Sequence, residues 1–87
     1  MINIMISCTV NMFDAQQEIY YIHHDGDKEL ISICDTDLIG NTIANFISAT
    51  SLPVTVVYFI GNQTFCQKYI EQIHFAHPNL TIKVINR

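Results

Sequence analysis

The stretch Leu52-Pro-Val-Thr-Val-Val-Tyr-Phe-Ile-Gly61 limits the possible folds of this chain more than any other. It is the only run apolar at both strand phases, with Val54, Val56, Tyr58 and Ile60 alternating with Val57 and Phe59. Pro53 lacks the amide hydrogen an interior strand needs, so it fits only at the start, and Gly61-Asn62 ends the run. A segment apolar on both faces belongs inside a sheet. Helix-like patterns flank it on both sides, which predicts a parallel strand entered and left through helices.

Before it, Ile2, Ile4, Ile6, Cys8, Val10 and Met12 recur at every second position, separated by Asn3, Met5, Ser7, Thr9 and Asn11. That is a half-buried strand with a core face and a mostly polar one. Asp14-Ala15-Gln16 supplies a turn, and Glu18 to His24 reads as a second strand. Asp25-Gly26-Asp27 signals a hairpin, because Gly tolerates the positive φ of tight turns. A two-residue turn at Gly26-Asp27 sets Asp25 opposite Lys28, Ile22 opposite Ile31 and Tyr20 opposite Ile33. Glu29 to Cys34 is then a short third strand.

Asp35-Thr36-Asp37 offers N-caps for a helix whose apolar stripe is Ile39, Ile43, Phe46 and Ile47, with Leu38 beside it. Gly40 weakens its first turn by ~1 kcal/mol relative to Ala, so this helix relies on packing. Thr50-Ser51 before Pro53 ends it. Asn62 or Thr64 caps a second helix, Thr64 and Gln67 having capping-box spacing. Its stripe is Phe65, Cys66, Tyr69, Ile70, Ile73 and Ala76, and Pro78 stops it. Leu80, Ile82 and Val84 alternate with Thr81, Lys83 and Ile85 in a last strand.

The order is βββαβαβ. The third strand is short and bracketed by charges, as an edge should be, whereas the first is long and uncharged. The fourth strand therefore belongs beside the first, giving spatial order 3-2-1-4-5; the alternative keeps sequence order, 1-2-3-4-5. Both crossovers advance the same way, so the right-handed rule puts both helices on one face. The expected fold is one α/β domain spanning residues 1–87, a two-layer sandwich with a mixed five-stranded sheet. This order of elements resembles the core of the ribonuclease H-like fold. That resemblance implies a divalent-metal site on carboxylates from the first strand, the first helix and the exit of the fourth strand. Here the first strand carries no acid before Asp14, the fourth exits into Asn62, and the helix start offers Asp35 and Asp37. The constellation is incomplete.

Charge narrows the functions further. Asp14, Glu18, Asp25, Asp27, Glu29, Asp35 and Asp37 are relieved locally only by Lys28, while Lys68, Glu71, Lys83 and Arg87 complete the charged set. Four scattered cations do not line a phosphate groove, so nucleic acid is not an expected partner. No apolar run approaches the ~18 residues a membrane span needs, and no basic segment leads the chain, which predicts a cytoplasmic protein without a membrane partner. Cys8, Cys34 and Cys66 form no Cys-x-x-Cys pair and fall on apolar faces, as small buried hydrophobes do. Cys66 near a helix start is the one thiol whose pKa its position would lower. His23 and His24 point to opposite strand faces, and His74 and His77 share a helix end far from them, so no zinc site is expected. No cofactor is expected either.

Met5, Val57, Phe59 and Ile85 are expected to project from the sheet face opposite the helices, joined by Tyr21 and Leu30. An uncovered face with that many large apolar groups predicts a contact surface. Glu18, Asp25, Asp27 and Glu29 beside it would steer a basic partner. The expected function is a non-enzymatic protein-binding module, using the face for self-association as a dimer or for docking a basic protein. It would regulate or inhibit a nucleic-acid-handling partner, as phage-type anti-defence proteins do. The competing expectation is a divalent-metal-dependent hydrolase or nuclease using Asp14, Asp35 and Asp37.

Overall fold

In the computed structural model, which describes residues 5–86, the elements are β1 (Met5–Thr9), β2 (Gln16–Ile22), β3 (Lys28–Asp35), a 3-10 turn (Thr36–Leu38), α1 (Ile39–Ala49), β4 (Val56–Gly61), α2 (Gln63–Ala76) and β5 (Thr81–Asn86). Ile2 and Ile4 of the expected first strand lie outside the described residues. The sheet runs β3-β2-β1-β4-β5. β1 and β2, and β2 and β3, pair antiparallel; β1 with β4, and β4 with β5, pair parallel. This is the order expected from the charge-bracketed third strand and the uncharged first, although β3, at eight residues, is not the short strand expected.

Both helices cover one face. Ile39 and Ile43 of α1 and Cys66, Tyr69 and Ile73 of α2 enclose a single core with Ile6, Cys8, Ile19, Tyr21, Val57 and Phe59. Register explains this membership. Ile6 is level with Tyr21 and Val57, and Cys8 with Ile19 and Phe59, so these side chains share a face.

That alignment corrects the expected phase of β4. Val57 and Phe59 are fully buried under the helices, and Val56, Tyr58 and Ile60 turn to the other face. The strand starts at Val56, so Val54, in the loop after Pro53, carries no phase information. Chemistry agrees with the outcome: Phe59 has no polar atom and packs 6.1 Å from the Tyr69 ring, while Tyr58 keeps its hydroxyl on the open side. Tyr21 is likewise corrected, being buried with its hydroxyl donating to the Pro53 carbonyl at 3.2 Å. Met12, expected in the core, stands in the β1–β2 loop and is exposed.

The hairpin register also differs. His23 N–H donates to Asp27 O at 2.8 Å and Gly26 N–H to His23 O at 2.9 Å, with Gly26 at φ 93°. A three-residue loop thus replaces the two-residue turn, with Gly26 as its positive-φ residue. Ile22 then faces Lys28 and Tyr20 faces Leu30, and a bulge between Ile19 and Tyr20 shifts the rest to Glu18 opposite Ile33.

Asn62 caps α2 as expected, its Oδ1 accepting from Phe65 N at 2.9 Å. The start of α1 has no side-chain cap; Thr36 instead turns its hydroxyl to the Asp14 carbonyl at 2.8 Å. Gly40 has a packing role. A Cβ there would meet Gln72 Oε1 at 2.0 Å and Gln72 Cβ at 3.0 Å, so the missing side chain is what lets α2 lie against α1.

Candidate functional site

The face that neither helix covers, among the described residues, takes alternate residues from all five strands. Lys28, Ile22, Met5, Val56 and Thr81 form one row across it, and Leu30, Tyr20, Ser7, Tyr58 and Lys83 the next. Met5 is half-buried there, and Ile85 is 51% exposed on the edge strand β5. With Val57, Phe59 and Tyr21 inside the core, the exposed apolar groups separate to the two edges: Leu30 and Ile33 on β3, Ile85 on β5. Between them lies a polar depression of about 460 Å³ lined by Ser7, Thr9, Gln16, Glu18, Tyr20 and Lys28 among others. Three of its side chains engage one another. Tyr20 donates to Glu18 Oε2 at 3.0 Å, and the Lys28 ammonium lies 4.5 Å from the Tyr20 ring centroid.

Glu18, Asp25, Asp27 and Glu29 are all exposed. Glu18 is on the open face opposite Ile33. Asp25 folds back to accept from Asp27 N at 3.0 Å, and Glu29 contacts His23 Nε2 at 2.9 Å. The hairpin end is therefore acidic but locally ordered.

At the other end of the strands, Asp14, Asp35 and Asp37 line one depression of about 530 Å³ with Met12, Ala15, Thr36 and Phe65. Asn62, at the exit of β4, lines a neighbouring depression with Met12, Phe13 and Phe65. Asp35 accepts from Gln16 Nε2 at 3.4 Å, and Asp37 pairs with Lys68 at 3.4 Å. Among the described residues no three His, Cys, Asp or Glu side chains converge as a metal-ion site would require.

The remaining nucleophiles have structural company. Burial pushes the Cys8 thiol up to about 12, with Cys34 and Cys66 nearby adding to it, and burial also raises Cys66. The helix start therefore leaves Cys66 an inert thiol. Ser48 Oγ and His77 Nε2 are 3.1 Å apart, but both also lie close to the Ala44 carbonyl, at 3.0 and 3.1 Å. An oxygen acceptor at that distance needs a proton on Nε2. Nε2 is thus a donor and not a base for Ser48; the contact fastens the end of α2 to the last turn of α1.

Two residues of this region escaped the sequence reading. Gln17 occupies a core position of β2 and is only 4% exposed. Its Nε2 donates to Asn11 O at 2.8 Å and Asp14 O at 3.2 Å, and its Oε1 accepts from Asn11 N at 3.2 Å. Phe13, at the tip of the loop so held, is 91% exposed. A polar residue at phase 17, 19, 21 was the available signal for the first, and an aromatic residue beside a turn for the second. No protein-family model and no curated protein matches this sequence. No helix of the described residues is long and apolar enough to cross a membrane.

Proposed function

We propose that this chain is a small protein-binding module of the cytoplasm that docks a basic protein through its β2–β3 side and so regulates or inhibits it. The observation that carries this reading is the distribution of acid. Seven of the eight Asp and Glu residues fall between Asp14 and Asp37, and all seven are exposed. They flank an uncovered sheet edge where Leu30 and Ile33 stand exposed beside Tyr20. Exposed apolar groups among acids relieved locally only by Lys28 suit a complementary cationic surface, with charge speeding encounter and the apolar groups holding the complex. A nucleic-acid-handling protein is the kind of partner whose cationic groove such a module would fill, as phage-type inhibitors of host defence enzymes do.

The test is capture on immobilised protein at low salt followed by release at high salt, comparing the parent with Glu18→Lys/Ile33→Asp. A cationic protein held by the parent, released by salt and absent from the variant supports docking here. Equal capture by both removes this face from the proposal. Self-association is the other outcome, read by light scattering of Ile85→Asp against the parent.

A divalent-metal hydrolase is the second reading, favoured by the single depression that Asp14, Asp35 and Asp37 share. Calorimetric titration with Mn²⁺ decides it. Binding heat lost in Asp35→Ala supports the enzyme, and a flat titration removes it.

A further inference from the structure

The β1–β2 loop is fixed in place more firmly than its connecting role requires. Asp14 N–H donates to Asn11 O at 3.0 Å and Phe13 N–H to Asn11 Oδ1 at 3.1 Å. The buried Gln17 amide takes Asn11 and Asp14 from beneath, the Thr36 hydroxyl donates to Asp14 O at 2.8 Å, and Thr36 N–H donates to Ala15 O at 2.9 Å. Ordering loop backbone opposes folding. Here the ordered residues point large apolar side chains outward: Phe13 is 91% and Met12 52% exposed. The core gains nothing from that placement. Met12 also lines, with Phe65, both depressions beside the loop, and one of these is walled by Asp14, Asp35 and Asp37.

We infer that this loop is a preorganised anchor, with Phe13 inserting into an apolar pocket rimmed by Lys or Arg on a protein partner. A rigid aromatic side chain loses little entropy on burial and is the usual centre of an interface. The neighbouring carboxylates select the rim: they complement cations and repel an anionic surface. For the same reason a protein is the occupant and an anionic lipid bilayer is not, although an exposed Met-Phe pair taken alone suits either. The inference rests on the proposed function only in taking the partner to be basic, and it adds a contact at the opposite end of β2 from the Asp25–Asp27 hairpin.

The test uses two synthetic amphipathic helices of equal length, one of Leu and Lys and one of Leu and Glu, titrated into the ¹⁵N-labelled full chain. The Leu/Lys peptide is expected to shift amide signals of residues 11–15 and 36–38, and the Leu/Glu peptide to shift none. Phe13→Ser should weaken the Leu/Lys peptide about tenfold or more, while Phe13→Leu keeps most of the affinity. Because Phe13 is exposed, both variants should retain the parent spectrum outside the loop. Undiminished binding by Phe13→Ser, with loss in Glu18→Lys/Ile33→Asp, overturns the anchor and leaves the basic-partner reading standing. Absence of any Leu/Lys binding, or equal response to both peptides, overturns both. Phe13-dependent binding to phosphatidylserine–phosphatidylcholine vesicles replaces the protein partner with a membrane and also overturns the inference.

Discussion

The hydroxyl of Tyr21 donates to the Pro53 carbonyl, whereas that of Tyr69 is sealed from solvent with no partner among the described residues. An unpaired buried hydroxyl loses its water without compensation, so the two phenols should respond oppositely to the same edit. Tyr21→Phe is expected to cost ~1 kcal/mol. Tyr69→Phe should be neutral or stabilise by up to ~1 kcal/mol, since the ring contacts with Phe59 and Phe65 remain. Urea midpoints of the two variants check this; an equal loss in both would mean that the Tyr69 hydroxyl has a partner. At this scale the sequence was a partial guide. Burial of Ile6, Cys8 and Ile43 follows from periodicity alone, because each sits at the apolar phase of its element. The role of Gln17 does not, because a glutamine's worth depends on which carbonyls the folded chain brings to it.

For the elements, strand order was legible from two features, the charge-bracketed β3 and the uncharged β1, and the structure has the sheet they imply. Phase and register were not. β4 is apolar on both faces, so its own residues cannot say which face meets the helices; only its alignment with Ile6 and Cys8 decides that. The hairpin register turned on whether Gly26 takes the positive φ inside a two-residue turn or after a longer one, and the same letters allow both. The α1–α2 contact gives a prediction at this scale. Gly40→Ala should raise helix propensity by ~1 kcal/mol yet destabilise on balance, because the new methyl meets both the end and the Cβ of Gln72. Combining it with Gln72→Ala removes the contacts with Oε1 and Cδ and leaves only the one with Cβ at 3.0 Å. Thermal melts of the two singles and the double should show coupling, the double melting above Gly40→Ala alone. Additive losses would show that the helices already have room.

Across the whole molecule, charge and burial act in separate places, and this sets how stability depends on pH. The acids that colour the β2–β3 side are exposed, whereas Cys8 and Tyr69 lie in the core and hold their protons up to about 12. Burial is the main cause for both. For each, the unfolded chain releases its proton earlier, near 9.0 for the thiol and 10.0 for the phenol. Between those values and about 12 the unfolded state binds fewer protons than the folded one, so stability falls as pH rises. Below pH 9 neither group contributes a slope. The full thiol shift corresponds to an upper bound on the order of 4 kcal/mol, a large share of the ~5–15 kcal/mol that stabilises a domain. Urea midpoints, taken under reductant, should therefore be insensitive to these groups from neutral pH to about 9 and decline steeply above it. Cys8→Val keeps a small apolar group in the core and removes the largest source of that slope. Its decline between pH 9 and 10 should be shallower, with the raised Cys66 remaining, and should steepen once the phenol of Tyr69 begins to matter. Superimposable pH profiles for parent and variant would mean that the Cys8 thiolate reaches water without global unfolding, and that the face β1 turns to the helices is not the dry interior its register implies.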